Sequence, residues 1–133
     1  MKVWIIVIVL AALIGIGGWL FYSRQNNHKA GYETISSSQA KGMMDTEQSL
    51  TIVDVREPDE YAGGHIQGAI NIPLGTIGNG GEGQLADKQA TLLVYCRSGN
   101  RSRQAAEKLV SLGYDHVYDF GGVNTWTDGL TTE

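Results

Sequence analysis

Short apolar runs alternate with polar, helix-forming stretches along the chain from residue 32 onwards. The apolar runs of strand length are residues 32–35, 50–55, 69–72, 91–95 and 116–120. The run at 50–55 (LTIVDV) is rich in β-branched residues, which is typical of a strand that is buried on both faces. The pattern therefore predicts about five strands, with residues 91–95 as the central one.

Helix signals lie between these runs. Ser36 and Gln39 have the spacing of a capping box ahead of a helix over residues 40–45. Pro58 favours the start of a helix of one or two turns, and Ser102 is predicted to cap the helix that follows the central strand. Strands that alternate with helices indicate an α/β fold, a parallel sheet covered by helices on both faces.

The stretch from residue 74 to residue 88 carries the weakest pattern. Five glycines fall between Gly75 and Gly83, and glycine is unfavourable inside a helix. We therefore expect any helix there to be short and the segment to be a mobile loop that forms one wall of the site.

Residues 3–22 (VWIIVIVLAALIGIGGWLFY) carry no charge, and their number is about what a helix needs to cross the roughly 30 Å hydrocarbon core of a bilayer. A buried core helix would need a larger protein around it. A cleaved signal peptide is an alternative, since Lys2 supplies a positive start and Gly15 and Gly17 are small residues ahead of a cleavage point. The aromatic residues of 19–22 extend the run and suit a membrane interface, which favours an uncleaved transmembrane helix.

The predicted organisation is an anchor over residues 1–22, a polar linker over 23–31 and one domain over 32–133. Lys2 lies before the apolar segment and two basic residues lie just after it, so the positive-inside rule favours a cytoplasmic domain, or neither side if the α-amino charge is counted. The Met-Lys start directly before an apolar run has the form of an export signal. We expect a single-pass protein of the cell membrane with its domain outside the cytoplasm.

Composition limits the partners more than the fold. The chain of 133 residues is 42% apolar and 18% charged, which leaves room for one globular domain beside the apolar segment. Its net charge of −4 argues against binding a nucleic acid backbone. A single cysteine excludes an internal disulfide. His28 and His116 have no neighbouring ligands at metal spacing, so no metal site is predicted.

The one cysteine lies in the stretch 96–102 (CRSGNRS), directly after the predicted central strand. In parallel sheets, ligands bind beyond the carboxyl ends of the strands. If a helix begins at Ser102, Gly99 allows the intervening backbone to curl until its N–H groups point at the sulfur and form an anion-binding nest.

Positive charge surrounds this cysteine. The basic residues in this stretch are Arg97 and Arg101, and Arg103 follows it directly. Together with the helix N-terminus they favour a thiolate. Cys96 is therefore predicted to be a nucleophile with a lowered pKa, the alternative being a small buried apolar residue.

Three blocks of the domain, taken together, resemble the single-domain rhodaneses, which are sulfurtransferases. The first block runs from Asp54-Val55-Arg56-Glu57 through Gly64-His65-Ile66 to Pro73, the second is residues 94–102 (VYCRSGNRS), and the third is Gly121-Gly122 with Trp126. The likeness covers roughly residues 32–126 and implies a rhodanese-like fold.

The resemblance implies that Cys96 accepts a sulfane sulfur from thiosulfate or a similar donor, becomes a persulfide, and passes the sulfur to cyanide or a thiol acceptor. The residues implied to bind the substrate are Arg97, Ser98, Gly99, Asn100 and Arg101. The backbone amides would hold the anionic sulfur, and the two arginines would hold the sulfonate of the donor. Neither a metal nor an organic cofactor is implied, and the sequence does not indicate a partner protein.

Two other functions stay open. A non-catalytic rhodanese-like module would bind a partner or sense oxidants through Cys96. Phosphatases and arsenate reductases of similar fold use a Cys-x5-Arg loop, whereas Arg101 follows Cys96 as Cys-x4-Arg. The shorter loop suits a smaller pocket, and the flanking arginines favour the sulfurtransferase.

Other polar residues are assigned supporting roles. Asp54 and Arg56 are predicted to pair with each other or to orient loops, because buried charges need such partners. His65 is predicted to be scaffold, since sulfur transfer to a pre-formed thiolate needs no general base. The acids around Asp59 are predicted to form a solvated helix face, and Trp126 to pack under the loop.

Overall fold

The computed structural model describes residues 31–133, which form a five-stranded sheet with helices on both faces. The strands are β1 (Glu33–Thr34), β2 (Leu50–Asp54), β3 (Ile70–Asn71), β4 (Thr91–Cys96) and β5 (His116–Gly122). The α-helices are α1 (Ser37–Thr46), α2 (Pro58–Ala62) and α3 (Asn100–Ser111). The strand order is β1-β5-β4-β2-β3 and every pairing within the sheet is parallel. The predicted α/β class, with β4 at the centre, is confirmed.

The central strand β4 is buried on both faces, as its apolar run predicts. Leu92 and Val94 face a core layer that includes Leu109 of α3. Leu93 faces the opposite layer, which includes Ala40 of α1. Because successive side chains of a strand point to opposite faces, this alternation also decides which layer receives the last residue of the strand.

Local signals account for most of the helix bounds. The Ser36 side chain accepts the N–H of Gln39 at 3.1 Å, and the Gln39 side chain accepts the N–H of Ser36 at 2.9 Å, so the capping box is confirmed. The start of α3 differs from the prediction. Its N-cap is Gly99, and Ser102 lies inside the first turn. The left-handed backbone of Gly99 reverses the chain sharply enough for the helix to begin before the serine.

The segment predicted as a mobile loop, residues 74–88, is instead packed against the core. It contains two short 3-10 helices, Leu74–Thr76 and Gly81–Gln84. Ile77 and Leu85 are both buried in the layer that contains α3 residues. The helices are short as predicted, but these two apolar side chains attach the glycine-rich segment to the core, which the glycine content alone does not indicate.

The predicted membrane anchor and, apart from Gly31, the predicted linker lie outside the described residues. Within residues 31–133, no helix has both the length and the apolar character needed to cross a bilayer. The fold described above therefore concerns the domain predicted over residues 32–133.

Candidate active site

Cys96 is the last residue of β4 and lies at the carboxyl edge of the sheet, where parallel α/β proteins bind their ligands. Strand alternation places its side chain in the core layer of Val94. Only 1% of the residue is exposed. The sulfur therefore lies at the base of a cradle, and a reactant must approach it through the loop that follows.

Residues 97–99 fold back over the sulfur. Gly99 has φ +106°, a conformation that glycine adopts without strain, and its backbone N–H donates to Cys96 Sγ at 3.0 Å. The backbone N–H groups of Ser98 and Ser102 also act on the sulfur. This arrangement is the anion-binding nest that the sequence predicts.

The surroundings of Cys96 act on its pKa in two directions. Burial raises the pKa, because a thiolate loses solvation in the protein interior. The Ser102 hydroxyl lowers the pKa when it donates to the thiolate, and the amides of Ser102, Gly99 and Ser98 lower the pKa by hydrogen bonding to the sulfur. The net result is a pKa of Cys96 below its ordinary value, which increases the thiolate fraction at neutral pH.

β5 passes directly against the loop at Gly122. The register between β4 and β5 shifts between Val94 and Cys96, and the shift brings Gly122 opposite Cys96. A Cβ atom on Gly122 would overlap the carbonyl group of Arg97 and lie 2.7 Å from the carbonyl oxygen of Cys96. Glycine at this position is therefore a steric requirement of the loop conformation.

The three arginines near the sulfur have different surroundings. Arg97 is exposed and forms no ion pair with any residue of 31–133. Arg101 donates to both carboxylate oxygens of Glu60, at 2.6 Å from Nη1 and 2.9 Å from Nη2. Exposed Arg103 donates to Oδ1 of Asn100 at 3.2 Å. The charge of Arg101 is thus matched by Glu60, whereas Arg97 is available to an anionic ligand.

Glu60 is a site residue that the sequence analysis missed. The solvated face predicted around Asp59 is correct for Asp59, which is exposed, but wrong for Glu60, whose side chain is 29% exposed. Hydrogen bonds from Arg101 lower the pKa of Glu60 to about 2, against the opposing effect of burial. The two residues are 41 positions apart, so only their opposite charges at neighbouring strand ends could have suggested the pair.

Asp119 is a second residue that was missed. It lies on β5 with 5% of its surface exposed. Its Oδ1 accepts the Ser102 hydroxyl at 2.7 Å and the N–H of Gly121 at 3.0 Å. Ser102 Oγ in turn lies 3.6 Å from Cys96 Sγ. The sequence feature that could have indicated Asp119 was an acid within the otherwise apolar or aromatic strand HVYDF.

Asp54 is the last residue of β2 and Arg56 lies two residues later, at the same edge of the sheet. Arg56 donates from Nη2 to Asp54 Oδ2 at 2.7 Å and from Nε to Asp54 Oδ1 at 3.0 Å. Nη2 also donates to the carbonyl of Gly64 at 2.7 Å. Both residues are buried, and each charge is satisfied by the other. The pair therefore has the geometry of the predicted supporting role.

His65 is also buried among scaffold contacts. Its Nδ1 lies 2.9 Å from the carbonyl oxygen of Tyr61, and its Nε2 lies 3.0 Å from that of Glu133. The ring stacks on Tyr61 at a centroid distance of 3.7 Å.

Trp126 packs on Phe120 with ring centroids 6.0 Å apart. In residues 31–133, no group of three or more His, Cys, Asp or Glu is arranged to hold a metal ion.

These groups define what the site can do. A thiolate held by inward-facing amides can attack a soft electrophile, and the same amides can then stabilise an anion bonded to the sulfur. Ser98, Gly99 and Asn100 also line a groove of about 680 Å³ beside the loop. Cys96 does not line this groove. The groove therefore offers room for a second reactant beside the loop, but it gives no direct access to the sulfur.

Comparisons with known proteins agree with this geometry. The model of the rhodanese-like domain family matches residues 36–128. Thiosulfate sulfurtransferase PspE of Escherichia coli is 45% identical over 71 residues, which cover 53% of this chain and 68% of that protein. Thiosulfate sulfurtransferase GlpE of Pseudomonas fluorescens is 36% identical over 103 residues, which cover 77% of this chain and 91% of that protein.

A solved structure gives the same result for the fold. The structure described as a rhodanese with anions from E. coli aligns with a TM-score of 0.58 at 38% sequence identity, over 63% of this chain and 99% of that one. The family match spans the strands of the sheet from β2 to β5 and the loop that holds the sulfur. The chain belongs to the family of rhodanese-like domains.

Proposed function

We propose that Cys96 carries a sulfane sulfur from thiosulfate, or a similar donor, to cyanide or a thiol acceptor by way of a persulfide. The chain is a rhodanese-like sulfurtransferase, and two relatives named thiosulfate sulfurtransferases support thiosulfate as the donor. The observation that carries the proposal is the N–H of Gly99, which donates to Cys96 Sγ at 3.0 Å. A cysteine that only fills space in a core needs no such donor.

In the first step, the Cys96 thiolate attacks the outer sulfur of thiosulfate. A bond forms between Sγ and that sulfur, the S–S bond of thiosulfate breaks, and sulfite leaves with the electron pair. Because two anions meet in this step, the exposed guanidinium of Arg97 and the N-terminus of α3 would attract the donor. Arg101 would contribute less to binding, since Glu60 already accepts from both of its Nη atoms.

In the second step, the acceptor attacks the outer sulfur of the persulfide. Cyanide leaves as thiocyanate, a thiolate acceptor leaves as a persulfide, and Cys96 recovers its thiolate in either case. No oxidant or reductant is consumed in the transfer to cyanide or a thiolate, because the bond that breaks is replaced by an equivalent bond to sulfur. The backbone amides of the loop would stabilise the charge while it is on the outer sulfur.

Incubation of the purified domain with thiosulfate, followed by intact mass measurement, tests the proposal. We expect the mass to increase by one sulfur atom and to return to its original value after cyanide is added. The Cys96→Ser variant should show no increase. A folded wild-type domain that gains no sulfur would overturn the sulfurtransferase and would favour a binding or redox-sensing module.

We also propose that residues 3–22 anchor the protein in the cell membrane, that residues 23–31 are a linker, and that the domain over residues 32–133 lies outside the cytoplasm. The length of the uncharged run and its aromatic end support the anchor. The intact mass of the protein purified from membranes should include the N-terminal segment. Protease added to cells whose outer envelope is permeabilised but whose cell membrane is intact should digest the domain. Digestion only after the cell membrane is lysed would contradict the proposed orientation.

A further inference from the structure

The carboxylate of Asp119 is buried without an ion pair to any residue of 31–133. It lies on β5 between the apolar core and the cysteine loop, and its recorded donors are the Ser102 hydroxyl at 2.7 Å and the Gly121 N–H at 3.0 Å. Burial of a charge without a counter-charge is costly. An apolar residue would fill this strand position at a lower cost, so stability alone does not account for the acid.

Ser102 is the link between this carboxylate and the sulfur. It is completely buried, and its Oγ is 2.7 Å from Asp119 Oδ1, 3.1 Å from the carbonyl of Gly99, 3.3 Å from that of Gly121 and 3.6 Å from Cys96 Sγ. A hydroxyl has a single hydrogen to donate. The short, charge-assisted bond to Asp119 is the strongest of the four.

The direction of this hydroxyl decides how it affects the cysteine. While Ser102 donates to Asp119, only its lone pairs face the sulfur, so it can accept the S–H of a thiol but cannot donate to a thiolate. To stabilise the thiolate, the hydroxyl must turn away from Asp119, which then keeps only the Gly121 amide. We propose that Asp119 is a positioning residue whose carboxylate directs the Ser102 hydroxyl and so controls the balance between the thiol and the thiolate of Cys96.

The persulfide changes this balance. In the persulfide, Sγ carries neither a proton nor a charge, and the negative charge lies on the outer sulfur, one bond farther from Asp119. Asp119 therefore disfavours the bare thiolate more than it disfavours the persulfide. The comparison with the persulfide rests on the proposed function, whereas the control of the balance between thiol and thiolate does not.

Other charges around the sulfur act on the same equilibrium. They are Arg97 in the loop, Arg101 and Arg103 on α3, Glu60 on α2 and the Asp54–Arg56 pair at the end of β2. None of them hydrogen-bonds Ser102 among the described residues. A change at Asp119 therefore reaches the sulfur through its own charge and through Ser102, and a variant at Ser102 separates the two routes.

The rate at which iodoacetamide alkylates Cys96, measured against pH, tests this control without requiring sulfur transfer. Asp119→Asn should lower the midpoint of the profile, so that the rate one pH unit below the wild-type midpoint rises about threefold to tenfold. Ser102→Ala should change the midpoint more in the Asp119→Asn background than in the wild type, because a neutral amide oxygen is a weaker acceptor than a carboxylate and leaves the hydroxyl more able to donate to the thiolate.

Glu107→Gln, which removes a charge from the exposed side of α3, is the matched control and should leave the midpoint unchanged. Thermal unfolding establishes that each variant is folded, and Asp119→Ala serves as a second variant in which the acceptor is absent altogether. A folded Asp119 variant with an unchanged or raised midpoint would overturn the inference and leave Asp119 as a cap of the Gly121 turn. Absence of a thiosulfate adduct would overturn the proposed function alone.

Discussion

Two turns at the carboxyl edge of the sheet each follow a strand whose last residue is buried, Asp54 in β2 and Cys96 in β4. The groups that surround these two residues differ. At the end of β2, Asp54 and Arg56 are buried and satisfy each other. After β4, the backbone N–H groups of Ser98, Gly99 and Ser102 act on one atom, the sulfur of Cys96, which can gain or lose charge. The comparison shows that a buried charge near a strand end does not by itself make a site. A site needs donors that converge on a group able to react.

The most disruptive way to probe the turn after β2 is to remove one charge of its pair. Arg56→Met leaves the carboxylate of Asp54 buried and unpaired, and we expect it to lower the free energy of unfolding by about 3–5 kcal/mol. Urea unfolding measures this loss. In the remaining folded protein, the alkylation midpoint of Cys96 should stay near that of the wild type. A large shift of the midpoint would mean that the two turns are coupled and that the contrast drawn here is wrong.

The loop after β4 can be broken through its steric contact with β5. Gly122→Ala places a Cβ atom against the carbonyl group of Arg97, which should cost about 1–3 kcal/mol of stability and turn the amides away from the sulfur. Thiosulfate turnover should fall much more than the stability loss explains. Gly75→Ala is the control, because a Cβ there meets nothing within 4 Å. Equal turnover in the two variants would contradict the steric requirement.

The ion pair between Glu60 and Arg101 connects the loop to α2. Because the folded pKa of Glu60 is about 2, below its ordinary value of 4.5, the pair stabilises the fold above about pH 4.5, and this contribution is lost as the pH falls towards 2. Glu60→Gln should therefore cost about 1 kcal/mol at neutral pH, a value reduced by solvent screening, and progressively less in acid. Asp59→Asn is the control. A cost for Glu60→Gln that is independent of pH would exclude the charge as its cause.

The smallest expected effect separates the two exposed arginines. Arg97→Gln removes the guanidinium that has no ion pair in the described part of the chain, and we expect KM for thiosulfate to rise about fivefold, or about 1 kcal/mol. Stability should change by less than about 0.5 kcal/mol. Arg103→Gln, farther along α3, should leave KM nearly unchanged. A larger rise for Arg103→Gln would indicate that the donor binds on the side of the groove instead.

Residues close together in the chain were predictable from it. The capping box at Ser36 and Gln39, the strand 91–95 before the cysteine, and the turn at Gly99 each depend on a few consecutive residues, whose backbone preferences are local. The predicted cap at Ser102 was wrong because glycine and serine both suit an N-cap, and only the packed loop decides between them. The prediction of a mobile loop over residues 74–88 was wrong because the burial of Ile77 and Leu85 depends on the neighbouring core layer.

The amino-acid sequence by itself determined the order of strands and helices along the chain, and the place of the single cysteine at the end of a central strand. These features follow from periodicity and turn chemistry, which operate over a few residues. Only the tertiary structure decided that Arg101 pairs with Glu60 and that Ser102 donates to Asp119. Such contacts join distant segments, so they depend on strand order and register, and no local pattern encodes which donors meet which acceptors.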